Sequence, residues 1–71
     1  MTLDEIVDAV DAGRTVCWSH RGYEVRRTSD KPGGLGMDVI CLHNNHMIGL
    51  TWLDGVTVNG QPEDFYVKEE A

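Results

Sequence analysis

The first stretch of the chain has the apolar spacing of an amphipathic helix. Apolar residues recur there at positions i, i+3, i+4 and i+7, and they are Leu3, Ile6, Val7 and Val10. Thr2, followed three residues later by Glu5, has the form of a capping box, in which each side chain hydrogen-bonds a free backbone N–H. Gly13 suits the end of a helix. The pattern predicts one helix over residues 3–12 with its apolar face toward a sheet.

From Arg14 the pattern changes to the alternation that is typical of β-strands. Residues 14–27 are expected to form a hairpin with a four-residue loop at 19–22. The predicted cross-strand pairs are Val16 with Val25 and Trp18 with Tyr23. The opposite face of this hairpin then carries Thr15, Cys17, Glu24 and Arg26.

A loop rich in glycine at residues 30–36 leads to a second predicted hairpin, which spans residues 37–52 and turns at Asn44 and Asn45. The residues expected on its core face are Met37, Val39, Cys41, Ile48, Leu50 and Trp52. The outer face carries the apolar residues Ile40, Leu42 and Met47. Because this face is too apolar for a freely solvated surface, we expect something to cover it.

The remaining residues supply turns and one more apolar segment. Turns are expected at 54–55 and 59–60, and Phe65 and Val67 are a last pair of core anchors. Residues 68–71 form a polar tail that is expected to fray. The sequence therefore predicts a single α+β domain over residues 1–71, in which one N-terminal helix packs on a small antiparallel sheet of four or five strands.

Composition narrows the class of partner. The 71 residues hold 12 Asp and Glu against 6 Lys and Arg, a formal charge of −6. Nucleic-acid binders neutralise phosphates with a basic face, so this balance argues against direct DNA or RNA binding and against an anionic membrane. It is compatible with a basic protein surface as partner, or simply with solubility. The chain begins without a basic and apolar leader, and its longest apolar run is residues 39–42, so we expect a cytoplasmic protein.

The predicted helix has an acidic exposed side. Its carboxylates are Asp4, Glu5, Asp8 and Asp11, and Glu63 and Asp64 form a second acidic patch. Carboxylates at this density approach the charge spacing of a nucleic-acid strand, so the helix could occupy the basic channel of a nucleic-acid-binding protein. The alternative is an ordinary solvated helix. A basic cluster is expected on the first hairpin, formed by Arg14, Arg21, Arg26 and Arg27.

Thiols and imidazoles at short spacings raise the possibility of a zinc site. The candidate ligands are Cys17, His20, Cys41, His43 and His46. Because Cys17 and Cys41 are predicted on opposite faces of the sheet, we expect neither a metal nor a disulfide, and both thiols are expected to be free.

Two catalytic motifs are also incomplete. A nucleophilic Cys17 activated by His20 would lack an orienting group and an oxyanion hole. The glycines at 33–36 are not followed by the Lys of a phosphate loop. The sequence therefore predicts no enzyme and no cofactor.

From residue 15 onward the chain is similar to a group of short, functionally unassigned proteins of phages and prophages. The likeness rests on Thr15-Val16-Cys17-Trp18, Gly22-Tyr23-Glu24-Val25, Ile48-Gly49-Leu50-Thr51-Trp52, Asp54-Gly55, Thr57, Asn59-Gly60 and Glu63-Asp64-Phe65-Tyr66. In size and acidity the chain also resembles anti-CRISPR and related anti-defence proteins. That resemblance implies a stoichiometric inhibitor that binds a host nucleoprotein complex and blocks its access to DNA or RNA.

Two hypotheses of function follow. The first is a non-enzymatic binding protein of phage origin that occludes the basic surface of a host defence complex with its acidic residues. The second is a homo-oligomeric structural or regulatory module, in which Ile40, Leu42 and Met47 are buried across a two-fold interface.

Overall fold

A computed structural model describes residues 1–68, so the predicted polar tail lies, apart from Lys68, outside the described residues. The elements are helix α1 (Leu3–Asp11) and strands β1 (Val16–Trp18), β2 (His20–Arg27), β3 (Met37–Cys41), β4 (Met47–Gly49) and β5 (Phe65–Val67), with short 3-10 turns at Gly33–Gly36 and Pro62–Asp64. The strands form one antiparallel sheet in the order β4-β3-β2-β1-β5. The predicted α+β architecture of one helix and an antiparallel sheet is confirmed.

Helix α1 begins as the capping box predicts. The Thr2 hydroxyl accepts from the Glu5 backbone N–H, and the Glu5 carboxylate accepts from the Thr2 backbone N–H. The helix ends at Asp11, and Gly13 follows with a φ of +83°, a left-handed conformation that glycine adopts without steric cost. Ala9 is buried on the face beside Ile6, although the apolar spacing alone did not single it out.

The core lies between α1 and one face of the sheet. Its central row runs across three strands, because Val25 of β2 is opposite Val16 of β1 and Val39 of β3. The buried residues of the core are Ile6, Ala9, Val16, Val25, Met37, Val39, Leu50 and Phe65. The predicted helical face is confirmed, since Leu3, Val7 and Val10 pack against this cluster as partly buried residues.

The first hairpin is tighter than predicted. Only Ser19, with a φ of 65°, separates β1 from β2, so the predicted four-residue loop is wrong. The register shifts after Cys17, and Trp18 therefore lies opposite His20 instead of Tyr23. The expected aromatic contact survives this change, because the Trp18 and Tyr23 rings meet edge to face with centroids 5.2 Å apart.

The second hairpin has a wider turn than predicted. Ile48 lies opposite Val39, on the predicted face, but it is 36% exposed because β4 is at the edge of the sheet. The strands end at Cys41 and resume at Met47, and the Cys41 backbone N–H donates to the His46 carbonyl. Leu50 is fully buried, as predicted, whereas Trp52 is 63% exposed. The core position expected for Trp52 is wrong because β4 ends at Gly49, and the chain leaves the sheet before the alternation reaches residue 52.

We expect Leu50→Ala to lower the free energy of unfolding by about 2–5 kcal/mol, because it leaves a cavity at a fully buried site. Leu53→Ala is the matched control: this leucine is 101% exposed, so its truncation should change stability by no more than about 0.5 kcal/mol. Urea denaturation followed by circular dichroism measures both. Equal losses from the two variants would contradict the position of the core.

Candidate functional site

Asp11 at the end of α1 forms an ion pair with Arg27 at the end of β2. The Arg27 Nε and Nη2 atoms donate to the two Asp11 carboxylate oxygens at 2.9 and 3.1 Å. These hydrogen bonds lower the pKa of the Asp11 carboxyl from its ordinary value of 3.8. Asp11, predicted as a partner-binding residue, is therefore engaged within the fold and does not continue the row of freely available carboxylates.

The same arginine organises the loop between β2 and β3. Its Nη1 atom donates to the Lys31 carbonyl oxygen at 2.9 Å. A methyl group at Gly36 would collide with the Lys31 carbonyl and would lie 2.6 Å from the Arg27 Nη1 atom. The loop therefore closes around the guanidinium, and Arg27 connects the helix end, the sheet and the loop.

Glu5 has a structural role as well as a surface position. Its carboxylate accepts from the Thr2 backbone N–H at 2.8 Å, and this bond lowers the pKa of the Glu5 carboxyl from its ordinary value of 4.5. Asp4 and Asp8 are exposed beside it. The Glu5 carboxylate therefore caps the helix start, and Asp4 and Asp8 lie with it on the solvent side of α1.

The second acidic patch is connected to the helix start. The Met1 backbone nitrogen donates to the Pro62 carbonyl oxygen at 2.6 Å, and Glu63 and Asp64 follow in the same 3-10 turn. The Asp64 carbonyl accepts from the Ser19 backbone N–H at 2.8 Å, which fixes the turn to the first hairpin. We define the acidic surface as the exposed residues Asp4, Glu5, Asp8, Glu63 and Asp64.

A shallow groove of about 330 Å³ runs along α1 beside this surface. Its lining includes Met1, Glu5, Asp8 and Arg14. Both signs of charge are present in it, so the groove suits a polar protein surface better than an apolar ligand.

The predicted basic cluster on the first hairpin is only partly available. Arg26 donates to the Glu24 carboxylate at 2.7 Å, and Arg27 is engaged with Asp11. Arg14 and Arg21 are exposed. Two of the four arginines are therefore paired with carboxylates of the same chain, and the other two remain exposed.

The thiols lie on opposite faces of the sheet, as predicted. Cys17 lies on the sheet face opposite the helix, in register with Glu24 and Tyr66, and is fully buried there, whereas Cys41 pairs with Tyr23 on the other face. Both cysteines are free. His20 is engaged locally, since its Nδ1 atom accepts from the Gly22 backbone N–H at 3.0 Å. Within residues 1–68 no group of three or more His, Cys, Asp or Glu side chains is placed to hold a metal ion.

The outer face of the sheet carries a cross-strand row of partly apolar residues. From β5 to β4 the row is Tyr66, Cys17, Glu24, Ile40 and Met47. Ile40 is only 9% exposed, so it has little surface left for the predicted interface, whereas Leu42 is 41% exposed and Met47 is 54% exposed. Neighbouring side chains of the row therefore cover its centre, and its end at β4 remains open.

An apolar loop that the sequence pattern did not predict lies beyond β4. Trp52, Leu53 and Val56 are exposed there, and Thr51 bridges Val58 at the base of the loop. The sequence signal was the predicted turn at Asp54 and Gly55. A turn requires no large apolar residues, so Leu53 before it and Val56 after it indicate an exposed apolar surface.

Comparisons with protein-family models, with curated proteins and with solved structures give no match for this chain. In the described part of the chain, no helix is long and apolar enough to cross a membrane.

Acid should destabilise the fold, because Glu5, Asp11 and Asp54 each have a lowered pKa. A carboxyl with a lower pKa in the folded chain stabilises the fold above its ordinary pKa, and this contribution is lost as the pH falls through the folded value. The melting temperature should therefore be level from pH 7 to about 5 and fall below that pH.

Asp54→Asn should flatten this acid dependence. The amide oxygen can still accept hydrogen bonds from the loop backbone, but it no longer titrates. Asp30→Asn makes the same charge change in an exposed loop and is the matched control. Melting curves between pH 7 and 2 measure the effect, and identical acid slopes for wild type and Asp54→Asn would contradict the role of the Asp54 carboxylate.

Proposed function

We propose that this chain is a non-enzymatic binding protein whose acidic surface docks on a basic surface of another protein. The observation that supports this most is the hydrogen bond from Met1 to the Pro62 carbonyl, which links the turn of Glu63 and Asp64 to the start of the acidic helix. Carboxylates far apart in sequence thereby contribute to one region. A net charge of −6 strengthens the field of that region.

The partner is a nucleic-acid-binding protein of a host defence complex, and the chain acts in the host cytoplasm as an inhibitor of phage origin. Asp4 and Asp8, one helical turn apart, are separated by about 6 Å along the helix axis. With Glu5 between them, three carboxylates fall within this distance, which is close to the density of a nucleic-acid strand with one charge per about 3.4 Å. Lys and Arg side chains that bind phosphates can therefore also pair with these carboxylates. The acidity of the chain favours this partner, and occlusion needs no catalytic group.

A second candidate function is a homo-oligomeric module that uses the outer face of the sheet. Leu42 and Met47 are 41% and 54% exposed at the β4 end of that face. If this interface exists, the chain should be dimeric by light scattering, and Leu42→Ser together with Met47→Ser should make it monomeric. A wild-type chain that is monomeric at millimolar concentration excludes this candidate.

The acidic surface predicts binding that depends on salt. The partner is recovered with the tagged chain from host cells, purified, and titrated with the chain at 50 and 500 mM NaCl. Affinity should fall at least about tenfold at the higher salt, because exposed charge pairs are screened at that ionic strength. The chain should also displace DNA or RNA from the partner at equimolar ratio.

Matched variants separate the acidic surface from net charge. Asp8→Asn and Asp30→Asn both change the net charge from −6 to −5, and both residues are exposed. Asp8→Asn should slow association and reduce the salt dependence, whereas Asp30→Asn should leave both near wild type. Equal effects of the two variants, or an affinity that is independent of salt, would refute the proposed function.

A further inference from the structure

Three strongly exposed apolar side chains lie in one loop. Leu53 is 101% exposed, Val56 is 72% exposed and Trp52 is 63% exposed. Single exposed apolar residues are common on protein surfaces, but a cluster that includes a tryptophan is typical of an interaction site. These side chains project from a loop, so they fit a concave partner surface.

Hydrogen bonds among its own residues define the conformation of the loop. The Asp54 carboxylate accepts from the backbone N–H groups of Val56 and Thr57, each at 2.9 Å, and from the Thr57 hydroxyl at 2.7 Å. The Gly55 N–H donates to the Trp52 carbonyl, and the Trp52 N–H donates to the Thr57 carbonyl, both at 2.9 Å. A loop ordered before it meets its partner loses little conformational entropy on binding.

The loop is packed against the segment that contacts the helix start. The side chain of Leu35 lies on Gly55, where an added methyl group would be 3.0 to 3.2 Å from its carbon atoms. A methyl group at Gly34, next in the chain to Leu35, would be 2.9 Å from the Leu3 Cδ1 atom and 2.6 Å from the Thr51 Cγ2 atom. Leu3 precedes Asp4 of the acidic surface, so the apolar loop lies beside the N-terminal end of that surface.

We propose that Leu53 and Val56 insert into an apolar pocket of the partner whose rim carries Lys or Arg side chains. This inference rests on the proposed function and adds the contact that determines how long the complex lasts. The basic rim follows from the carboxylates at the adjacent helix start. A second copy of the chain fits less well, because each copy carries a charge of −6 and the same acidic helix start beside its loop.

Photo-crosslinking in cells that express the chain tests the contact directly. Benzoyl-phenylalanine replaces Leu53 in one variant, Asp8 in a second and His43, at the far end of the second hairpin, in a third. We expect adducts from positions 53 and 8 but not from 43. Mass spectrometry should place the adduct from position 53 in an apolar pocket of the captured protein with Lys or Arg at its rim.

The crosslinking outcomes separate this inference from the proposed function. An adduct from position 8 without one from position 53 overturns the pocket contact and leaves the acidic surface in place. Adducts from neither position overturn both. An adduct that joins position 53 to another copy of the chain overturns the choice of partner, as does an adduct on a flat or uncharged surface of the captured protein.

Affinity measurements with the captured protein give an independent test. Leu53→Ser with Val56→Ser should weaken binding at least about 30-fold, mainly through faster dissociation, and should leave the salt dependence unchanged. Leu42→Ser with Met47→Ser removes comparable apolar groups from the outer face and is the matched control, with an expected change below about threefold. Wild-type affinity for the loop variant would overturn the proposal.

Discussion

One short helix has to cover one face of a five-stranded sheet, and much of the structure follows from this constraint. Nine helical residues extend over about 13 Å. Five strands spaced about 4.8 Å apart extend over about 19 Å between the outermost strands. The segments between β2 and β3 and after β4 supply part of the remaining cover, where Gly34 lies against Leu3 and Thr51. The loops are therefore part of the core boundary, and their glycines allow the close approach that closes it.

The charged residues are divided between contacts that hold the fold together and positions on the surface. Arg27 uses its guanidinium to hold Asp11 and the Lys31 carbonyl, so the ion pair and its hydrogen bonds fasten the helix end to the loop. Glu5 caps the helix start. Asp4 and Asp8 are not used in this way, and they give the helix its acidic exposed side. A chain with six basic residues and twelve acidic ones can fill these structural positions and still keep a negative surface.

Local patterns in the sequence were sufficient for the helix, its capping box and the inward alternation of Val16, Val25 and Val39. They failed where tertiary contacts decide the conformation. The tight reversal at Ser19 depends on a bond from its N–H to the Asp64 carbonyl, which lies 45 positions away. The pairing of Asp11 with Arg27 likewise joins two elements whose contact no spacing rule reveals. Trp52 continues the alternation of β4 in the sequence, but the strand ends at Gly49.

The turn that displays Leu53 is stabilised by hydrogen bonds within residues 52–57 and by Leu35 packed on Gly55, while other residues form the core. Substitutions at Leu53 and Val56 therefore leave the packing of the domain intact. This separation gives the chain a module whose surface chemistry can diversify at little cost to folding. The apolar tip of the loop can thus be exchanged for other side chains without rebuilding the scaffold that carries it.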